Sequence, residues 1–476
     1  MNFWKTFAAA LAAVVVGMGM VFVFSLIFGI SILAMFGGES TKTSENSVLY
    51  IDLNESIIDS PTIDLNSMSV SSPITILQTL SAIEAAATDD NIKGICIYLN
   101  GPGSVSGANI EELRQAIIRF KQSGKFVVAY DDMFTQGEYY IASVADRISM
   151  NPVGSFEWRG MASGVMFYKG LLDKLDVEVE IFRPTACKYK SAVEPFFLTK
   201  MSEANRKQME SLNESMWNTI CEDVAQMRNL QPETLKMLAA NLSVNTPEEA
   251  KKYGFVDAIE YEDDLYTYLE EQGVKIDHKG EINKVSLGEY AQNITFINNS
   301  YDSLSDNCVA IIYAEGQIVD GKDVGSGYIY GNTLAKQIRE ARLDDDIKAV
   351  VMRVNSPGGS ALASDIIWRE MTLLQKSKPV VISMGEEAAS GGYYISAPAD
   401  YIIADKLTLT GSIGVFGMIP NVGKLLSNKL GITIDYAATS PEAVGMNLIS
   451  PLSPRQKEVT LQSVDKIYET FASKVA

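Results

Sequence analysis

The stretch from Val380 to Asp400, VVISMGEEAASGGYYISAPAD, decides the fold because the chain contains it twice. Its second version, Phe126 to Asp146, reads FVVAYDDMFTQGEYYIASVAD and aligns with no gap, sharing YYI and a closing Ala-Asp at the same spacing. Each version reads as an apolar strand, a short turn and the start of a helix. Working outward, DDNIKGICIYLNGPGS (89–104) matches DDDIKAVVMRVNSPGG (344–359). Around these, the first half alternates VLYIDLN, ITILQTLSAIEAAAT, IKGICIYLN, ANIEELRQAIIRFKQS and KFVVAYDD; the second runs CVAIIYAEGQIVDG, YGNTLAKQIREARLDDD, IKAVVMRVN, ALASDIIWREMTLLQKS and KPVVISMG. Strand and helix patterns in strict alternation predict an α/β fold with parallel strands, and the repeat makes it an internal duplication.

Composition narrows the chemistry. The chain has 476 residues, 47% of them hydrophobic, enough for two domains with cores of their own. Forty basic residues against 59 acidic give a net charge of −19, which argues against nucleic acid as a partner. Cys96, Cys187, Cys221 and Cys308 lie far apart with no CxxC spacing, so neither a zinc site nor a disulfide framework is expected. The only histidine, His278, sits in a polar run, IDHKGEINK. A Ser-His-Asp triad or a multi-histidine metal site is therefore nearly excluded, and a serine nucleophile here needs a different base.

Duplicated halves that share a fold often divide labour, so the informative positions are those where they differ. Ser390 lies where a strand hands over to a helix, beside the amides of Gly391 and Gly392, whereas the first half has Gln136 and Glu138 at the matching places. In the other direction, TACKYKSAVEPF falls opposite ATSPEAVGMNLIS, with Lys190 near Gly445. This reciprocal loss predicts one site assembled from both halves, Ser390 from the second and Lys190 from the first. A serine hydroxyl needs a neighbouring base, and a lysine serves only when neutral, which burial among apolar groups promotes. Lys188 is the alternative base. Asn355 to Ser360, NSPGGS, follows an apolar strand; Gly358 and Gly359 could aim an amide at an oxyanion and, with Gly391, form a two-donor hole. Ser412 in TLTGSIGVFG could hold the lysine amine, and SVDK (463–466) matches the SxxK pattern by chance, since the companion motifs are missing.

At the N-terminus an apolar run from Phe7 to Phe36 follows Lys5, long enough to span a bilayer with tilt. The positive flank predicts an uncleaved anchor that leaves the rest of the chain outside the cytoplasm. The expected division is an anchor and spacer (1–46), a first domain with the lysine (47–261), a polar connector (262–299) and a second domain with the serine (300–476). Pairing ESMWNTICEDVA with KIYETFASKVA sets Ala476 opposite Ala225, so the second domain is expected to lack a counterpart of Gln226 to Ile259.

Taken together, YKSAVEPF, SPGG, ASGGYYIS and TGSIGVFG resemble the signal peptide peptidase A family in its long, tandem-duplicated bacterial form. The resemblance implies two Clp-protease/crotonase-like domains behind a transmembrane helix. It also implies a Ser/Lys peptidase with Ser390 as nucleophile, Lys190 as general base and Ser412 beside the lysine. By the same resemblance the substrates are signal peptides and other small peptides, the assembly is a ring-like homotetramer, no metal or organic cofactor is required, and the catalytic domains face the periplasm from the bacterial inner membrane. Two other readings stay open from the residues alone: a crotonase-like acyl-CoA enzyme, and a non-catalytic membrane scaffold of the same fold.

Overall fold

Apolar runs such as IKGICIY become strands of parallel sheets, buried on both faces, because the crossover helices cover both sides. The structure, a computed structural model, describes residues 43–53, 57–60, 73–99, 107–301, 307–323 and 327–476. The apolar run Phe7 to Phe36 and the first-half segment 100–106 lie outside the described residues. Among the described residues no helix is long and apolar enough to cross a membrane.

In the first half the order is β1 (Ser47–Asp52), α1 (Ile76–Thr88), β2 (Ile92–Tyr98), α2 (Gly107–Lys121), β3 (Phe126–Phe134), α3 (Gln136–Ala142) and β4 (Arg147–Phe156). There follow β5 (Glu178–Phe182), α4 (Glu203–Arg228), β6 (Ala258–Ile259), α5 (Glu262–Glu271), β7 (Lys284–Ser286) and α6 (Leu287–Tyr301). The first sheet runs β6-β4-β3-β2-β1-β7, every pair parallel.

The second half repeats the programme with β8 (Cys308–Glu315), α7 (Gly331–Leu343), β9 (Ile347–Ser356), α8 (Ala361–Gln375), β10 (Val380–Ala389), α9 (Gly391–Ser396), β11 (Tyr401–Ile403) and β12 (Leu409–Gly411). Its sheet is β8-β9-β10-β11, again parallel, with β12 also on β10. Strand β13 (Gly417–Asn421) leaves this sheet and pairs antiparallel with β5, Gly417 opposite Phe182 and Asn421 opposite Glu178. Helix α10 (Pro454–Val475) closes the chain, capped by Ser453 and Gln456.

Two stretches fold differently from their sequence reading. CVAIIYAEGQIVDG is not one strand: β8 stops at Glu315 and a short strand, Gln317–Val319, follows. Gly316 breaks it with φ 100°, and a Cβ there would lie 2.3 Å from the Gly327 carbonyl oxygen. Residues 262–299, read as a polar connector, carry α5, β7 and most of α6. Leu265 and Leu269, one turn apart on α5, bury themselves against a layer containing Tyr50, Tyr98 and Tyr130.

The halves are also joined by a buried charge cluster. Arg353 of β9 donates from Nε to Asp59 Oδ1 (2.9 Å) and from its terminal nitrogens to Glu112 Oε1 (2.6 Å), Asn109 Oδ1 (2.8 Å) and Ser383 Oγ (2.9 Å). Asn355 takes the other Asp59 oxygen at 2.6 Å. Asp405 lies against Glu112, and burial together with that second carboxylate pushes its pKa up. Three first-half side chains thus converge on one guanidinium of the second half.

Candidate active site

Ser390 occupies the single residue between β10 and α9, with φ 54° and ψ −113°. Non-glycine residues avoid that region at a cost of about 1–3 kcal/mol, so the surroundings must impose it. They do so through the backbone: the Ser390 N–H donates to the Gly411 carbonyl (2.9 Å), and the Ser390 carbonyl accepts from the Tyr394 N–H (2.9 Å). The first half has relaxed the same corner. There Thr135, at φ −75°, caps α3 in a reciprocal box with Glu138, and Gln136 turns its amide oxygen to the N–H groups of Arg159 (3.2 Å) and Gly160 (3.0 Å).

The NSPGGS turn presses against Ser390 from the other side. Gly358 has φ 91°, and a Cβ on it would come within 2.3 Å of the Gly391 nitrogen and 2.8 Å of Ser390 Cβ. Its N–H already donates to Ser356 Oγ (3.1 Å) and its carbonyl accepts from the Ile318 N–H (2.9 Å). Gly391 also packs close to Gly359: a Cβ on Gly391 would sit 3.1 Å from the Gly359 nitrogen. Gly358→Ala is therefore expected to abolish peptide hydrolysis by driving Gly391 off its place. Retention of wild-type turnover by a folded G358A protein, judged by circular dichroism, would show that the contact is not needed.

Lys190 arrives from the first half on a chain of tight turns. The Cys187 N–H donates to the Pro184 carbonyl, the Lys190 N–H to the Cys187 carbonyl and the Glu194 N–H to the Ser191 carbonyl, each at 2.9 Å. Arg183 holds the Lys190 carbonyl (3.0 Å), and the buried Glu194 carboxylate ties down Ser202 and Asn205. Only 9% of Lys190 is exposed, and its Nζ donates to the Ser412 carbonyl (2.7 Å) and Ser412 Oγ (2.9 Å). Burial pushes the amine down to about 8, opposed by smaller attractions from Cys187 and Glu387. Gly414 faces the lysine, since a Cβ there would lie 3.5 Å from Lys190 Cδ and 3.2 Å from Cys187 Sγ.

One short path connects the two residues. The Gly411 carbonyl fixes Ser390, and the next residue, Ser412, holds Lys190. Ser412 itself has φ 52°. In the first sheet the pairing of Phe134 with Phe156 answers that of Ala388 with Thr410, which sets the buried Trp158 at the Ser412 position. That half therefore offers no hydroxyl there. The other sequence candidates lie elsewhere: Lys188 is exposed over the Tyr189 ring, His278 is on an exposed turn, and Ser463 and Lys466 face solvent on α10. Cys187, Glu387 and Gly414 were not legible as neighbours of the lysine, because no local spacing links them to it. Among the described residues no cluster of His, Cys, Asp and Glu side chains is gathered to hold a metal.

Ser390 and Gly391 also border a small, partly open hollow lined by Tyr394, Val415 and, on α10, Ile467 and Phe471.

Comparison with known proteins gives this geometry its context. The model of peptidase family S49 matches residues 119–277 and 372–476, and that of Clp protease matches residues 302–402. Protease 4 of Salmonella typhi is 33% identical over 475 residues, 96% of this chain and 75% of that protein. Protease 4 of Haemophilus influenzae is 35% identical over 455 residues, 91% of this chain and 72% of its own length. The chloroplastic serine protease SPPA of Arabidopsis thaliana is 30% identical over 464 residues, covering 94% of this chain and 65% of the plant protein. With a mixed α/β architecture that includes a Clp-protease-like region, the chain belongs to peptidase family S49 and is a serine peptidase.

Proposed function

We propose that Ser390 is the nucleophile and Lys190 the general base of one site shared by the two halves, acting on signal peptides and other small peptides. The observation that carries this reading is the withdrawal of the Lys190 amine from water onto Ser412, one residue from the carbonyl that fixes Ser390. Ser390 Oγ attacks the peptide carbonyl and Lys190 Nζ takes its proton, then returns it to the departing amine. The N–H groups of Gly359 and Gly391 stabilise the oxyanion, while Gly358, whose own amide is engaged by Ser356, supplies the space that lets them converge. Water activated by the same lysine hydrolyses the acyl-enzyme. No step calls for a metal or an organic cofactor.

A base of this kind fixes the sign of the pH dependence. Below about 8 the Lys190 amine holds a proton and cannot accept another; above it the free base predominates. Turnover is therefore expected to rise through pH 8 to a plateau, and Lys190→Arg, which stays charged throughout, should be inactive across the range. A rate–pH profile flat from pH 6 to 9 would contradict the assignment.

Ser412 to Phe416 runs between β12 and β13 with no strand partner among the described residues, which suits an extended peptide lying beside Ser390. The reading extends to the whole chain as two tandem crotonase-like domains, 47–261 and 300–476, joined through 262–299 behind an anchor in 1–46. The site then faces the periplasm from the inner membrane, and the assembly is a homotetramer. The apolar run after Lys5 and the family motifs support these parts. Removing residues 1–46 should release the protein from membranes without lowering turnover of a soluble peptide, and membrane retention of the shortened chain would count against the anchor. Labelling tests the core of the proposal: a serine-directed fluorophosphonate should modify Ser390, and an unmodified Ser390 would sink it.

A further inference from the structure

A base that takes a proton becomes a cation, and a cation formed out of water needs an anion within reach. In a Ser-His-Asp triad a buried carboxylate meets that need for the imidazolium. Here the proton of the Ser390 hydroxyl passes to Lys190 Nζ and leaves a full positive charge on a side chain that is 9% exposed. The two groups that hold the amine, the carbonyl and the hydroxyl of Ser412, are neutral. Neither supplies a counter-charge.

Glu387 is placed to supply one. It lies on β10 three residues before Ser390, opposite Leu409 of β12, and shares its face of the strand with Ala389, which lies opposite Gly411. Ser412, the residue after Gly411, is the one that holds Lys190. The backbone of this stretch is pinned from both sides. The Glu387 N–H donates to Asn355 Oδ1 (3.1 Å), and the Thr408 and Thr410 hydroxyls donate to the carbonyls of Gly385 (2.9 Å) and Ala388 (3.0 Å). The half-buried Glu387 carboxylate, by contrast, has no hydrogen-bond partner among the described residues. The charges it meets are Glu386, its exposed neighbour on β10, which repels it, and Lys190, which attracts it. On the lysine's side the titratable groups facing the amine are Glu387 and the Cys187 thiol. Arg183 is occupied with the Lys190 carbonyl and Glu194, and Asp59, beyond Asn355, is taken by Arg353. The first half has Met133 at the matching position, 61% exposed and opposite Ser155. The carboxylate is thus present only in the half whose strand carries the nucleophile.

We propose that Glu387 is a positioning residue for the reaction: its carboxylate steadies the ammonium that forms on Lys190 as the serine proton is taken. Glu387 itself accepts no proton and touches no substrate. The proposal rests on Lys190 being the general base. An anion beside a lysine favours its protonated form, so removing the charge while keeping the shape weakens the base and moves its titration to lower pH. Glu387→Gln should therefore shift the midpoint of the rate–pH profile from near pH 8 down to about pH 7. The plateau should fall by about 3- to 10-fold, because a weaker base takes the proton less readily.

The test follows kcat/KM against pH with a small soluble peptide for wild type, Glu387→Gln, Glu387→Asp, Glu386→Gln and Lys190→Met, each checked for folding by circular dichroism. Glu387→Asp keeps the charge and should stay close to the wild-type midpoint. Glu386→Gln should too, since Glu386 is exposed and is not among the groups facing the lysine. A merely structural role for Glu387 would lower the rate and leave the midpoint in place. A midpoint unmoved or raised in Glu387→Gln, in an enzyme whose wild-type midpoint vanishes in Lys190→Met, overturns the role of Glu387 and leaves the lysine as base. A midpoint that survives in Lys190→Met overturns the base assignment and this proposal with it.

Discussion

Replacing Ser390 by alanine is expected to lower kcat for peptide hydrolysis by about 10⁴- to 10⁶-fold, the scale seen when a serine protease loses its nucleophile. Lys190→Met should cost about 10²- to 10⁴-fold, the usual contribution of a positioned general base. Residues that act as one unit are not additive, so the double variant should be no worse than Ser390→Ala alone. The lysine variant should also be the more stable protein, because it removes an amine held in a desolvated seat. The sign follows from linkage. The folded-state pKa of about 8 lies below the unfolded value, so the penalty is complete below pH 8 and fades as pH rises toward the ordinary lysine range. The gain in Tm for Lys190→Met should therefore be largest at neutral pH and shrink in alkali.

The second large effect concerns the tie between halves. Arg353→Met leaves Asp59, 2% exposed, without its cation, and stranding a buried charge of this sort costs about 3–5 kcal/mol. Urea unfolding should show that loss. Since Lys190 and Ser390 come from opposite sides of the junction, activity should fall with it. Arg353→Lys should recover little, because an ammonium cannot reproduce the fork that meets Asp59, Asn109 and Glu112 together. Replacing Asp59 and Arg353 by leucine in one protein should restore only part of the stability, as Asp59 is no longer stranded but Glu112, beside Asp405, still loses its cation. Wild-type stability and turnover in Arg353→Met would show that β13 against β5 suffices to hold the halves.

Some of this was legible in the chain because it is written locally and twice. The parallel sheets follow from buried apolar runs between amphipathic helices, and the duplication from YYI and Ala-Asp at fixed spacing. Ser390 stood out against Gln136, and Lys190 against a chain with one histidine. The strain at Ser390 was not legible, since φ 54° is imposed by Gly411, which lies 21 residues on. Nor was the division of work between Gly358 and Gly359: both are glycines in one motif, and only the Ser356 hydroxyl distinguishes them. The contact between Arg353 and Asp59 spans 294 residues, and the polar character of 262–299 concealed the leucines that dock α5. Long-range pairing leaves no period in a sequence.

Activation of Ser390 requires that the buried Lys190 amine shed its proton near pH 8. The most direct measurement is the rate at which a fluorophosphonate modifies Ser390, followed against pH by mass spectrometry of the labelled peptide, in wild type and Lys190→Met. Wild-type labelling should rise with a midpoint near pH 8, and the variant should label far more slowly with that midpoint gone. Equal rates and the same profile in both proteins, or modification at a serine other than Ser390, would contradict it.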